Sequence, residues 1–91
     1  MPNRLGIALV ANKLAVGTRL ALEAIRAGKA KLVLLANDAS DATIKNITDK
    51  ANFYNVEVNL NYDTNSLSKP IGKENIKVIC ILDKGFAEMY K

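Results

Sequence analysis

The sequence predicts an α/β fold, a three-layer α/β/α sandwich with a central mixed sheet of about four strands. Three observations point to it. Two short runs, residues 31–36 (Lys-Leu-Val-Leu-Leu-Ala) and 76–82 (Ile-Lys-Val-Ile-Cys-Ile-Leu), are apolar almost throughout and rich in branched side chains, as strands covered on both faces are. Segments of helical period alternate with them along the chain, which puts helices on both faces of one sheet. The length, 91 residues, suits a single core, so residues 1–91 are read as one domain.

Taken in order, residues 5–11 form the longest near-apolar stretch. Gly6 interrupts it and Asn12 and Lys13 follow, so it reads as a helix too short to cross a bilayer, and it lacks the small-residue cleavage site of a signal peptide. No membrane partner is expected. A short strand is predicted over 13–16. Gly17 opens a helix over 18–27 that stops at Gly28, a residue suited to a left-handed cap, with Leu20, Ala21, Ala24 and Ile25 as its buried stripe. Beyond the strand at 31–36, Ser40 is placed to cap a helix over 41–54, with Asp41 in its first turn and Ile44, Ile47 and Ala51 facing inward. Residues 56–60 (Val-Glu-Val-Asn-Leu) alternate apolar and polar, the pattern of a half-exposed strand. A short helix over 66–71 and a last one opening at Asp83 and running to the end complete the expectation.

The chain is 49% apolar and 24% charged, ordinary for a soluble globular domain, and its 13 basic against 9 acidic residues leave only +4. The distribution says more. Residues 1–31 carry six basic residues (Arg4, Lys13, Arg19, Arg26, Lys29 and Lys31) against Glu23 alone, a net +5, whereas residues 32–91 carry seven against eight. A phosphate backbone binds such a concentration by counterion release, although a basic third of a small domain also serves solubility.

Catalysis finds little support. Histidine, the commonest general acid–base group and metal ligand, is absent. The lone cysteine, Cys80, lies inside an apolar strand, permits no internal disulfide and suits a reducing, cytoplasmic setting. Gly72-Lys-Glu lacks the spacing of a phosphate-binding loop. Asp41 and Asp49 are read as helix-end and surface charges and Asp38 as the end of a strand, so no metal site is expected. No cofactor is expected either.

Residues 17–38 (Gly-Thr-Arg-Leu-Ala-Leu-Glu-Ala-Ile-Arg-Ala-Gly-Lys-Ala-Lys-Leu-Val-Leu-Leu-Ala-Asn-Asp) resemble the signature of the L-seven-Ae ribosomal-protein family. In that family a glycine opens a helix ending in Ala-Ile-Arg-x-Gly, and a strand ending in Ala-x-Asp follows. The resemblance continues through Ala39-Ser40, Thr48-Asp-Lys50, Phe53-Tyr-Asn-Val56, Ile71-Gly-Lys-Glu74 and Asp83-Lys-Gly-Phe-Ala87, which look like the small bacterial branch. It implies the same sandwich fold and a non-enzymatic RNA-binding protein. Its implied partners are structured RNA, ribosomal RNA or the sharply bent kink-turn, and the ribosome.

The positions matching the family's RNA site, together with neighbouring basic residues, are Lys13, Gly17, Thr18, Arg19, Leu20, Arg26, Ile44, Leu60, Asn61 and Tyr62. A helix opened by Gly17 and Thr18 presents unpaired N–H groups to an acceptor, and Gly17 lets RNA approach; it equally serves an ordinary tight turn. Arg19 either offers its donor fork to RNA or joins Glu23 and Arg26 in a surface ion-pair ladder. Tyr62 either stacks on a flipped-out base or is a half-buried tyrosine, and Ile44 either lines that base or is plain core. Three departures from the family stand out: Arg19-Leu20 in place of its Asn-Glu pair, Glu23 in place of a lysine, and Ser68 after Leu67 where it prefers glycine. The first two leave open a second reading, a protein-interaction module on the same fold that has lost RNA recognition.

Overall fold

A computed structural model of the protein describes residues 5–90, so Arg4, counted above with the basic third, and Lys91 lie outside the described residues. The element order is α1 (Leu5–Val10), β1 (Leu14–Val16), α2 (Thr18–Arg26), β2 (Leu32–Leu35), α3 (Asp41–Phe53), β3 (Val58–Asn59), α4 (Thr64–Ser68), β4 (Val78–Ile81) and α5 (Lys84–Met89). A 3-10 turn, Lys69–Ile71, continues α4.

The four strands form one mixed sheet in the order β1-β4-β2-β3, with β4 antiparallel to β1 and β2, and β3 parallel to β2. Both central strands are buried at every position, as their unbroken apolar runs require. Alternation along them divides the core in two. Leu32, Leu34, Ile79 and Ile81 face Leu5, Leu67, Ile71 and Ala87 of the layer holding α1, α4 and α5. Val33, Leu35, Val78 and Cys80 face Ala21, Ile25, Ile47 and Ala51 of α2 and α3. The three-layer sandwich is therefore built by the period of two in β2 and β4.

Close approach sets α1. A Cβ on Gly6 would stand 2.9 Å from the carbonyl oxygen of Pro70, so only glycine lets this helix lie on the 3-10 turn.

Several elements differ from expectation, each for a local reason. Leu20, assigned to the buried stripe of α2, is 47% exposed. It overhangs β1, an edge strand with no neighbour beyond it, beside Leu14 and Ala24 in a shallow groove. The third strand is only two residues long, and its alternation inverts: Asn59 is buried while Leu60 is 41% exposed. The buried amide is held at both ends, since its Nδ2 donates to the Tyr90 carbonyl and its Oδ1 accepts from the Asn61 N–H at 2.8 Å. The short helix begins at Thr64, two residues early, because the Asp63 carboxylate accepts from the Ser66 N–H at 2.8 Å and caps it. The last strand starts at Val78 rather than Ile76. In the last helix Asp83 is the cap rather than the first residue, accepting from the Phe86 N–H at 3.0 Å.

Since β1, β2 and β3 run the same way, their C-terminal ends gather at one end of the sheet with the starts of α2, α3 and α4. We call this the upper pole. The C-terminal ends of α2 and α3 point to the lower pole, beside the starts of β1 and β2 and the end of β4.

Candidate nucleic-acid interface

A row of backbone hydrogen bonds assembles the upper pole across the sheet. The Gly17 N–H donates to the Val78 carbonyl at 2.9 Å, Ala36 N–H to Lys77 at 2.8 Å, and Asn37 N–H to Tyr62 at 2.9 Å. The Asn37 side-chain amide adds a bond to the Leu60 carbonyl at 3.1 Å. Four adjacent chain segments at one strand spacing each put the start of α2 roughly 14 Å from the loop 60–62.

At one side of this row stands the start of α2. Gly17 has φ 94° and ψ 158°, a conformation that L side chains rarely adopt, and no side chain caps the helix. Its carbonyl accepts from the Ala21 N–H at 2.9 Å, so the helix ladder begins there and the amides of Thr18, Arg19 and Leu20 precede it. A Cβ on Gly17 would meet nothing within 4 Å, which means that its α-carbon faces open space. Thr18, Arg19 and Leu20 are all exposed. Arg19 Nε lies 3.5 Å from Glu23 Oε2, an exposed i, i+4 pair. The predicted ladder thus has its first rung, and among the described residues Arg26 makes no ion pair with Glu23.

At the other side is the loop 60–62. Leu60 and Asn61 are exposed, and Tyr62 is half-buried, edge-to-face with Tyr90 at 6.3 Å between centroids. Tyr62 is thus packed on the core, the more ordinary of its two readings, and Leu60 is the apolar group the loop turns outward. Ile44, half-buried in the second turn of α3, packs against both core clusters.

Between them lies a polar chain that sequence reasoning missed. Asp38, placed in the turn after β2 and not at the strand's end, accepts from the Thr64 N–H at 2.9 Å and the Thr64 hydroxyl at 2.6 Å. Lys77 Nζ donates to the same hydroxyl at 2.9 Å. The Thr64 hydroxyl and amide hold the Asp38 carboxyl below the usual carboxylate range, aided by the Lys77 charge. A hollow of about 480 Å³ opens beside this chain, with Lys69, Lys73 and Glu74 also in its wall. Asp38 lies within the family signature, but its partner is 26 residues away, and Lys69, Lys73 and Lys77 are spread from a 3-10 turn through a loop to the start of β4.

The structure does not bring every candidate residue to this pole. Gly17, Thr18, Arg19, Leu20, Ile44, Leu60, Asn61 and Tyr62 belong to it. Lys13 does not: it directly precedes β1, and its carbonyl accepts from the Leu82 N–H at 2.8 Å at the lower pole. Arg26 ends α2 at that same pole. The N-terminal concentration of charge therefore divides between the two ends of the sheet, because a helix and a strand carry the chain from one pole to the other within residues 13–31.

Among the described residues no group of three or more potential metal ligands occurs, and no helix is long and apolar enough to cross a membrane. Burial pushes the Cys80 thiol up to about 12, and its Sγ donates to the Ala21 carbonyl at 3.4 Å, so it stays protonated inside the core.

Comparison with known proteins agrees with this architecture. The chain is 43% identical over 83 residues to an RNA-binding protein, YlxQ, of Bacillus subtilis (strain 168), covering 91% of this chain and 83% of that protein. It is 40% identical over 89 residues to the RNA-binding protein YlxQ of Enterococcus faecium, covering 98% and 85%. Among solved structures, a protein with unknown function from Bacillus halodurans C superposes with a TM-score of 0.91 at 31% identity, over 98% of this chain and 90% of that one. A Giardia lamblia 15.5kD RNA binding protein shares the fold with a TM-score of 0.81 at 19% identity, over 98% and 76%. Residues 1–89 match the Ribosomal protein L7Ae/L30e/S12e/Gadd45 family, a non-enzymatic one, and the chain belongs to that family.

Proposed function

We propose that this chain binds structured RNA through the upper pole of its sheet, as a kink-turn-binding protein, with ribosomal RNA and the ribosome in the cytoplasm as its setting. The observation that carries the reading is the uncapped start of α2, whose Gly17 faces open space beside Arg19. Amides left without a side-chain cap, at the positive end of a helix dipole, suit a phosphate or base-edge acceptor. Arg19 supplies a planar donor fork in the first turn. Across the pole, Leu60 offers apolar surface to an unstacked base, and Lys69, Lys73 and Lys77 extend the electrostatic field. The names of the two bacterial relatives support RNA as the partner.

The protein-interaction reading draws on the exposure of Leu20 and on Glu23, which occupies Arg19 at 3.5 Å. A pair of variants separates the two. Arg19→Glu should weaken binding to a kink-turn duplex by at least about tenfold, with thermal stability nearly unchanged, since an exposed pair contributes roughly 0–1 kcal/mol. Glu23→Lys releases the Arg19 fork and adds a cation, so it should strengthen binding and raise the preference for kinked over straight duplex. Calorimetric titration at one salt concentration reads both. If neither variant moves the affinity, α2 does not contact the RNA; if the parent binds neither kinked nor straight duplex, the protein-interaction reading takes its place.

A further inference from the structure

The lower pole carries a surface that the reading above leaves unused. Phe53 ends α3 with 77% of its area exposed, and Tyr54, the next residue, is 40% exposed. Their rings meet edge to face, 4.9 Å between centroids and 77° between planes. Neither ring belongs to either core cluster. An apolar ring as exposed as that of Phe53 adds nothing to the core and holds a hydrated surface that a partner can cover.

What surrounds the rings is cationic. Phe53 and Tyr54 line a shallow hollow of about 340 Å³ together with Arg26, Lys50 and Asp49. Asp49 is engaged elsewhere, accepting from Lys45 Nζ at 3.3 Å. Among the described residues Arg26 makes no ion pair. Exposed Lys29 and Lys31 follow at the same end of the sheet; the acids Glu57, whose carbonyl just before β3 accepts from the Val33 N–H at 2.9 Å, and Asp83, which caps α5 through the Phe86 N–H at 3.0 Å, also lie toward this end. Aromatic faces beside a guanidinium and an ammonium match the two halves of a nucleotide, a flat base and an anionic phosphate.

We propose that this face is a second RNA contact, specific for unpaired nucleotides: Phe53 stacks on a base, and Arg26 and Lys50 take the flanking phosphates. A duplex keeps its bases stacked on one another and offers this ring none, so the occupant is single-stranded. The α2 helix, nine residues at 1.5 Å each, separates the two poles by roughly 14 Å. A folded RNA seated at the upper pole can therefore reach the lower one with a few nucleotides of its own unpaired strand. The proposal rests on RNA as the partner and not on kink-turn recognition.

The test is fluorescence anisotropy of the full chain with a labelled ten-nucleotide oligoadenylate, run beside a kink-turn duplex lacking single-stranded ends. Phe53→Ala should weaken oligoadenylate binding by at least about fivefold, and the double variant Arg26→Glu/Lys50→Glu by at least about tenfold, while Phe53→Tyr stays within about twofold. None of the three should change duplex affinity by more than about twofold, and Arg19→Glu should leave the oligoadenylate untouched. Oligoadenylate binding that ignores Phe53→Ala overturns the proposal. So does binding lost equally with Arg19→Glu, which would assign the strand to the upper pole. A dimer in sedimentation that Phe53→Ala dissociates, with oligoadenylate binding intact, also overturns it and makes this face a contact between copies. Failure of the kink-turn reading has a different signature, a duplex affinity indifferent to Arg19→Glu while Phe53→Ala still acts on the oligoadenylate.

Discussion

Helices α2 and α3 run side by side in the same direction over one face of the sheet, yet they begin differently. At α3 the Ser40 hydroxyl accepts from the Thr43 N–H at 3.2 Å, so the chain satisfies its own helix end. At α2, Gly17 supplies a turn with φ 94° and no side-chain acceptor. Both solutions fold, but they leave different surfaces behind. A capped start is electrostatically closed, whereas an uncapped one keeps its donors available to water or to an incoming anion. On the proposed RNA reading, stability falls to one of these neighbouring helix ends and binding to the other, and substitution at each end should separate the two quantities.

The largest effect is expected at Gly17. Gly17→Ala forces a Cβ into a positive-φ conformation, which should lower unfolding free energy by about 1–3 kcal/mol in urea titrations. Because that Cβ points into open space in the free protein, RNA affinity should fall as well; affinity unchanged in a folded Gly17→Ala would break the comparison. Ser40→Ala should cost about 1 kcal/mol of stability and leave RNA affinity where it was. A drop in affinity there would mean that the upper pole reads RNA through α3 too.

The smallest effect concerns the cap on α4. The Ser66 backbone N–H, and then its side chain, hold the Asp63 carboxyl below the ordinary carboxylate range. A carboxyl depressed in the folded state stabilises fully above its unfolded value, about 3.9, and that contribution fades as pH falls through the lower folded value. Asp63→Ser keeps a cap but removes the titration, so thermal melts between about pH 2 and 5 should show a shallower loss of stability than the parent. Parallel curves for the two proteins would mean that this bond adds no pH dependence. Ser40, with no titrating group, provides the contrast within the same fold.

How much of this was legible depended on how far apart the interacting residues lie. The two central strands, the helix after Gly17 and the Ser40 cap follow from periodicity and from residues within a turn of each other, and they stand nearly where expected. Asp63 as a cap is equally local, an Asx residue three positions before Ser66, and it sets a start earlier than the apolar pattern of 66–71 implies. The non-local features were illegible. Nothing in residues 56–60 announces that Asn59 turns inward, because its partner is the Tyr90 carbonyl 31 positions later. Nor does the chain order of lysines reveal the poles: Lys13 and Arg19 are six residues apart yet stand at opposite ends of the sheet, while Lys77 comes beside Asp38. Family likeness points to Gly17 and the loop 60–62, and only the fold could divide the basic residues between two surfaces.

The place of β4 in the sheet bears on the order of assembly. It is the last strand to leave the ribosome and the one through which β1 and β2 are joined, for those two do not touch each other in the sheet. A nascent chain that has exposed residues 5–60 holds β2, α3 and β3 as a contiguous unit, but β1 has no partner and Gly17 lacks the Val78 carbonyl that fixes its N–H. Closing the sheet means joining residues more than 60 positions apart, Leu14 with Ile81, and such long loops slow the folding step that depends on them. The helix end at Gly17 is therefore translated early and finished late, and a partial chain has no assembled upper pole before its own synthesis has passed β4.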